Sequence, residues 1–103
     1  MTRQEFTFAI GFQGDTAIVD KRAMRQYGRL STTELVEKGL YRAAFCNALF
    51  SGNAGDMDDF IRLFGEKTSA AGQGSARLET ADQLKRLFGV YTIPDEIKRV
   101  VAL

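Results

Sequence analysis

Large apolar residues recur at every second position near the start of the chain. Four of them share one side of an extended segment over residues 5–12: Phe6, Phe8, Ile10 and Phe12. A period of two with aromatic and β-branched residues is typical of a half-buried β-strand. The pattern therefore predicts a strand whose four large side chains all face the core.

A second strand is predicted directly after the first. Gly14 and Asp15 fit the two central positions of a type II′ turn, whose first residue is glycine. This turn places Phe12 opposite Ala17 and Ile10 opposite Val19, so both strands carry their apolar residues on one face. The N-terminal segment is therefore expected to form an antiparallel hairpin.

Two short helices are expected after the hairpin. Asp20 is the predicted N-cap of a helix over residues 21–27, which Gly28 ends in a left-handed conformation. The segment 31–34, Ser-Thr-Thr-Glu, has the form of a capping box and begins the next helix. Gly39 either ends that helix or lies within a longer one.

The middle of the chain contains the predicted core. Residues 40–50 are apolar almost all round, which is typical of a helix enclosed by its neighbours. Residues 51–55 form a turn, and Asp56 is expected to cap the following helix. Four residues then give this helix one apolar stripe at the spacing i, i+3, i+4 and i+7: Met57, Phe60, Ile61 and Phe64.

The last third of the chain is less regular. Residues 68–76 are small, polar and glycine-containing, and are expected to form a mobile surface loop. Thr80 and Gln83 repeat the capping-box pattern ahead of an apolar helix face that ends at Gly89. This face consists of Ala81, Leu84, Leu87 and Phe88. The tail over residues 90–103 fits either a short helix or a strand added to the N-terminal sheet, and the marginal stability of an isolated hairpin favours a strand.

The fold class that follows is α+β. We expect one compact domain over residues 1–103, in which the antiparallel hairpin, with a possible C-terminal third strand, packs on four to five short helices. The length of 103 residues is enough to close one hydrophobic core.

Composition excludes several kinds of chemistry. The chain has no histidine and a single cysteine, Cys46. It therefore lacks the residues for a Ser-His-Asp triad, a Cys-His pair, a tetrahedral Cys/His zinc site or an intrachain disulfide. No motif for a cofactor is present, so we expect no cofactor, no metal and no catalytic activity. The first residues lack the continuous apolar run of a signal peptide, and a cytoplasmic location is expected.

A basic group after the hairpin is the main candidate site. It consists of Lys21, Arg22, Arg25 and Arg29. Cations on one side of an amphipathic helix suit a phosphate backbone or an acidic partner, particularly if Arg3, or Lys98 with Arg99, lies nearby. The alternative is a solvated face whose charges balance Asp15 and Asp20. The net charge of only +1 adds no further support for nucleic-acid binding.

Other segments resemble functional motifs less closely. Residues 31–52 have the outline of a helix-turn-helix, but the second helix offers few polar side chains to read bases. The acidic residues at 56, 58 and 59 lack the spacing of a calcium loop and suit the first turn of a helix. The glycines at 72 and 74 lack the rest of a phosphate loop. Cys46 fits a small buried hydrophobe.

The eight phenylalanines are expected in the core. One exception is Phe45, which together with Tyr41 is a candidate for a partner surface.

The function expected from these features is a non-catalytic module that binds a protein partner or a second copy of itself. A very apolar short sheet needs cover from helices or from another subunit's edge. The alternative is a nucleic-acid-binding domain that uses the basic helix. An enzyme based on carboxylates such as Asp56 and Asp58 is a third and weaker hypothesis, and no membrane contact is expected.

Overall fold

The computed structural model describes residues 1–70, 81–90, 92–94 and 97–102. Six helices and three strands lie within these ranges. Their bounds in chain order are α1 (Arg3–Thr7), β1 (Ala9–Gln13), β2 (Thr16–Val19), α2 (Lys21–Tyr27), α3 (Thr32–Glu37), α4 (Tyr41–Ser51), α5 (Ala54–Ala70), α6 (Ala81–Phe88) and β3 (Arg99–Ala102). The fold is a small α+β fold, as predicted, with one helix more than expected.

The sheet has the order β1-β2-β3, so β2 is the central strand. β1 and β2 form the predicted antiparallel hairpin, with Gln13 opposite Thr16 and Phe12 opposite Ala17. Gly14 has a φ of 59°, and every residue with a positive φ in the described part of the chain is a glycine. Both observations agree with a type II′ turn that begins at Gly14.

The C-terminal tail contributes the third strand, and this strand runs parallel to β2. Thr16 lies opposite Arg99, and Val19 lies opposite Ala102. The carbonyl oxygen of Asp15 accepts hydrogen bonds from the N–H groups of Lys98 at 2.8 Å and Arg99 at 3.3 Å, which fixes the start of the pairing. Parallel strands need a long crossover connection, and here α2 to α6 supply it.

The predicted strand over residues 5–12 is wrong in its first half, which is helical. Thr2 and Glu5 form a capping box, in which the Thr2 hydroxyl accepts from the Glu5 N–H at 3.1 Å and the Glu5 carboxylate accepts from the Thr2 N–H at 2.7 Å. Because this capping box begins α1, the buried Phe6 belongs to a helix and not to a strand. The capping-box signature at positions 2 and 5 was the sequence signal that the alternating pattern concealed.

The predicted pairing of Ile10 with Val19 is also wrong. Val19 lies opposite Ala9, and the register shifts between Ala9 and Gly11. This β-bulge changes which side chains face the core. Ile10 is 49% exposed and Phe12 is 38% exposed, whereas the small Ala9 is buried. Phe12 therefore does not belong to the core, contrary to expectation.

Side-chain caps begin α2 and α3 as predicted. The Asp20 carboxylate accepts from the Ala23 N–H at 3.0 Å, and the Ser31 hydroxyl accepts from the Glu34 N–H at 3.2 Å. Gly39 ends α3 with a φ of 77°. The next N–H, that of Leu40, returns to the Leu35 carbonyl at 3.0 Å, as in a Schellman motif.

Gly28 does not adopt the left-handed conformation expected of it. Its φ is −64° and its backbone is right-handed. A Cβ atom at this position would lie 2.3 Å from the Met24 carbonyl oxygen and 3.1 Å from the Gln4 side chain. Met24 lies in the last turn of α2 itself. Crowding within the end of α2, with a smaller contribution from Gln4 of α1, therefore explains the glycine.

The core surrounds α4, as its apolar sequence predicts. Residues 44–48 of this helix are all buried. The Phe45 ring lies 5.7 Å from Phe60 of α5 and 5.3 Å from Phe88 of α6, centroid to centroid. Because Phe45 has no exposed surface, its predicted role in a partner surface is wrong. The ring of Tyr41 is half-buried and meets Phe64 edge-on at 5.3 Å.

α5 begins earlier and ends later than predicted. The Asn53 side chain accepts from the N–H groups of Gly55 at 2.8 Å and Asp56 at 3.3 Å, so Asn53 and not Asp56 caps the helix. The predicted apolar stripe faces inward, with Phe60 fully buried. Residues 68–70 of the predicted loop are helical, while residues 71–76 lie outside the described residues.

α6 ends as predicted at Gly89, whose φ is 70°. On its apolar face Leu84 is fully buried, but Leu87 is 53% exposed. The predicted capping box involves Thr80, which lies outside the described residues.

Two glycine substitutions test this crowding at the end of α2. Gly28→Ala is expected to lower stability by about 1–3 kcal/mol, because the new methyl group must displace backbone. Gly65→Ala is the matched control: it lies inside α5, where an added Cβ meets nothing within 4 Å, and it should raise stability by about 0.5–1 kcal/mol. Urea unfolding of both variants makes the comparison. Equal or greater stability of Gly28→Ala would contradict the crowding against the Met24 carbonyl.

Candidate functional site

Three of the four predicted basic residues line one cleft. Lys21, Arg22 and Arg25 project from the first turns of α2, and Asp20 and Ala102 complete the lining of this open cleft of about 780 Å³. We call it the basic cleft. Ala102 is the last residue of β3, so the cleft joins the start of α2 to the carboxyl end of β3.

The cations of the basic cleft have no anionic partner among the described residues. The ion pairs found in these ranges lie on α3, α5 and α6. Asp20 lines the cleft, but its carboxylate accepts the Ala23 N–H as a helix cap. The predicted balancing of this basic group by Asp15 and Asp20 therefore does not take the form of direct ion pairs. The cleft therefore presents positive charge to which an external anion can bind.

The other predicted cations do not converge on this cleft. Arg29 lies beyond Tyr27, the last residue of α2, and does not line the cleft. Arg99 stands at the start of β3, opposite Thr16, about 10 Å from Ala102 along the strand, and Lys98 precedes it. Arg3 lies on α1, whose next residue Gln4 approaches Gly28. None of these four cations lines the basic cleft.

β3 is an edge strand. Its Arg99 N–H points toward β2, where it meets the Asp15 carbonyl. Since peptide groups alternate along a strand, the N–H and C=O groups of Val100 and Ala102 point away from β2. No backbone hydrogen bond from another described segment reaches them. Residues 99, 101 and 102 are exposed and Val100 is half-buried, so this edge is accessible.

The opposite edge of the sheet is partly closed. Arg42 of α4 donates from Nη1 to the Ala9 carbonyl of β1 and from Nε to the Phe88 carbonyl at 3.4 Å. The bulge at Ile10 also interrupts the regular spacing of β1. A bulge and a covering side chain are two of the devices by which proteins prevent strand addition. Of the two edges, only β3 offers a regular ladder that no described segment occupies.

One face of the sheet carries a cross-strand row of apolar or small residues. Gly11, Ile18 and Val101 lie side by side across β1, β2 and β3. Val101 is 37% exposed, and nothing lies within 4 Å of the Cβ position of Gly11. This row ends at the β3 edge. A strand added there would extend it.

The helix-turn-helix interpretation fails on its second helix. Asn47 of α4 is buried and donates to the Thr32 hydroxyl at 3.0 Å, and Arg42 is engaged with two backbone carbonyls. A recognition helix must present several free polar side chains to base edges. The polar residues of α4 instead hold the fold together.

The remaining candidates do not assemble a reactive centre. Asp58 and Asp59 are exposed on α5, and Asp59 pairs with Arg62 at 3.6 Å. Across the described ranges no three acidic, cysteine or histidine side chains are grouped as metal ligands would be. The glycines at 72 and 74 lie outside the described residues. In the same ranges, none of the helices combines the length and apolar character that crossing a bilayer requires.

A second cleft, of about 450 Å³, lies beside Arg42 between β1, α2, α4 and α6. Its lining includes Phe8, Leu40, Tyr41 and Phe88. It is mainly apolar, and its one guanidinium already serves two carbonyl groups of the chain. This cleft therefore offers mainly packing surface, and the two carbonyl groups hold the Arg42 guanidinium in place.

Comparison with protein-family models, curated protein sequences and solved structures finds no match to this chain.

Cys46 behaves as the buried hydrophobe that the sequence predicts. It has no exposed surface, and burial raises the pKa of its thiol from 9.0 to about 11, against a smaller lowering effect of Arg42. A thiol with a raised pKa and no access to solvent is a poor nucleophile.

The raised pKa predicts a pH dependence of stability. Between pH 9 and pH 11 the unfolded chain loses the Cys46 proton while the folded chain keeps it. Stability therefore falls as pH rises through this window, by about 3 kcal/mol from this group. Urea unfolding of the wild type and Cys46→Ala across the window isolates the effect as the difference between them. A difference that does not change with pH would contradict the assignment.

Arg42 is expected to stabilise the fold. Arg42→Ala leaves the Ala9 and Phe88 carbonyls without their donor, so the free energy of unfolding should fall by about 1–3 kcal/mol. Arg29→Ala is the control, because Arg29 is exposed and its loss should change stability by less than about 0.5 kcal/mol. Thermal unfolding compares the two. Equal stability of the two variants would show that Arg42 does not secure β1 and α6.

Proposed function

We propose that this protein is a non-catalytic interaction module that binds an extended segment of a partner protein along β3. The observation that carries the proposal is the open edge of β3. Val100 and Ala102 direct their N–H and C=O groups outward, and strand addition uses such groups as its main source of affinity.

The surroundings of β3 support a partner strand rather than a flat docking surface. An incoming strand at this edge would meet Val101 on the sheet face that carries Ile18 and Gly11. Apolar side chains of the partner would then bury against Val101, which is 37% exposed. Backbone hydrogen bonds would set the register, and alternate side chains would give specificity.

Electrostatics disfavour self-association through the same edge. Antiparallel pairing of two β3 strands would bring Lys98 and Arg99 of one copy near the basic cleft of the other. Parallel pairing would bring the two basic clefts together. Both arrangements place like charges in proximity, which opposes association. We therefore propose a different protein, rather than a second copy, as the partner.

Nucleic-acid binding is the second candidate function. It is favoured by the convergence of Lys21, Arg22 and Arg25 on one cleft, since phosphate contacts from Lys and Arg dominate such affinity. The separation of Arg29, Lys98 and Arg99 from that cleft leaves only a short surface for contact with a nucleic acid.

The cytoplasmic location expected from the sequence stays a prediction.

Peptide selection tests the proposed function. A display library of random extended peptides would be selected on the wild-type protein and then measured against Ala102→Pro, which removes an outward N–H but leaves the bonds between β2 and β3. Peptides selected on the wild type should bind this variant at least about tenfold more weakly, because one backbone hydrogen bond is lost and the proline ring blocks the edge.

Ala102→Val is the matched control, since it keeps the N–H and should bind selected peptides like the wild type. Amide chemical shifts should change at Val100 and Ala102 on binding. Failure to select any peptide, or selected peptides that bind Ala102→Pro as well as they bind the wild type, would overturn the proposal. Dimer formation by the free protein in sedimentation would support self-association instead.

A further inference from the structure

We infer that the partner segment carries carboxylates at the end that lies beside Ala102, where the basic cleft receives them. This inference rests on the proposed function, because it requires a strand at the β3 edge. It names the chemistry of the partner: an extended peptide with an acidic end.

The first step is the position of the cleft relative to the edge. Ala102 both ends β3 and lines the basic cleft. A strand that pairs with the outward groups of Val100 and Ala102 therefore leads directly into the space bounded by α2. The residues that follow such a strand would enter the cleft rather than open solvent.

The second step is charge. Lys21, Arg22 and Arg25 line the cleft and pair with no carboxylate in the described ranges. Asp20, the acidic residue of the lining, already accepts a backbone N–H. The side chains themselves, and not the short helix that carries them, supply the positive charge. Carboxylates of an incoming peptide would be complementary to it, and complementary charge sets specificity and association rate.

The third step is the contrast between the two ends of β3. Lys98 and Arg99, just before and at its start, are also cationic and exposed, but neither residue lines the cleft. The cleft therefore gives the edge a direction, because three cationic side chains line one cleft beside Ala102, whereas two exposed cations stand at the other end. For a peptide antiparallel to β3 this is its N-terminal end, and for a parallel peptide its C-terminal end.

Synthetic peptides of defined sequence test the inference. One has a Val-Thr-Val-Thr body preceded by Glu-Glu-Glu, a second has the same body followed by Glu-Glu-Glu, and two controls replace each Glu with Gln. Fluorescence anisotropy across a salt series would measure their affinity for the intact protein. One of the acidic peptides should bind at least about tenfold more tightly than its Gln counterpart, with an advantage that falls as salt rises.

Matched variants locate the effect. Lys21→Gln with Arg22→Gln and Arg25→Gln should abolish the advantage of the acidic peptide and leave the affinity of the Gln peptide unchanged. The control changes the same number of charges on exposed residues away from the cleft, with Arg29→Gln, Lys38→Gln and Arg86→Gln. This control variant should keep most of the difference in affinity between the acidic peptide and its Gln counterpart.

The outcomes separate this inference from the proposed function. Binding of Gln and acidic peptides with equal affinity, both lost in Ala102→Pro, would overturn the inference and keep the function. No binding of any peptide would overturn both. If acidic peptides bind Ala102→Pro as tightly as the wild type, the basic cleft binds them without strand pairing at β3. This result would also contradict the inference. A single-stranded DNA oligonucleotide that binds more tightly than every peptide, and loses binding in the cleft variant, would favour nucleic acid.

Discussion

The parallel pairing of β3 with β2 determines most of what is accessible on this molecule. It starts where the Asp15 carbonyl accepts the N–H groups of Lys98 and Arg99, and it encloses every helix from α2 to α6 in one crossover. Because β2 is already paired with β1, β3 must lie at the edge. Because the pairing is parallel, the carboxyl end of β3 lies beside the start of α2, which follows β2 directly. The open edge and the position of the basic cleft beside it therefore both follow from the parallel pairing of β3 with β2.

The helical core partly closes the opposite edge of the sheet, which is formed by β1. α4 is buried through its middle, where Phe45 packs on Phe60 and Phe88. Its one long cation, Arg42, reaches out of this core to the carbonyl groups of Ala9 and Phe88. A single side chain thus ties α4 to both β1 and α6 and occupies an acceptor on the β1 edge. The asymmetry between the edges arises from this contact and from the bulge at Ile10.

Local signals in the sequence predicted the elements well, and non-local contacts decided the rest. The turn at Gly14, the cap at Asp20 and the capping box at Ser31 depend on neighbouring residues, and all three formed as expected. The alternating phenylalanines fitted a strand, yet the competing capping box at Thr2 began a helix. Nothing local indicated the bulge at Ile10, because it depends on how β1 packs. The cations of α2 were found from the sequence, but their meeting with the end of β3 depends on a distant strand and was beyond local patterns.

Amide hydrogen exchange along β3 distinguishes an open edge from a covered one. We expect slow exchange for the N–H groups of Arg99 and Val101, which point toward β2, and fast exchange for those of Val100 and Ala102, which face solvent. Protection of all four amides in the free protein would show that the edge is already covered. Fast exchange of all four would show that β3 does not pair with β2, and the open edge and its junction with the basic cleft would both be lost.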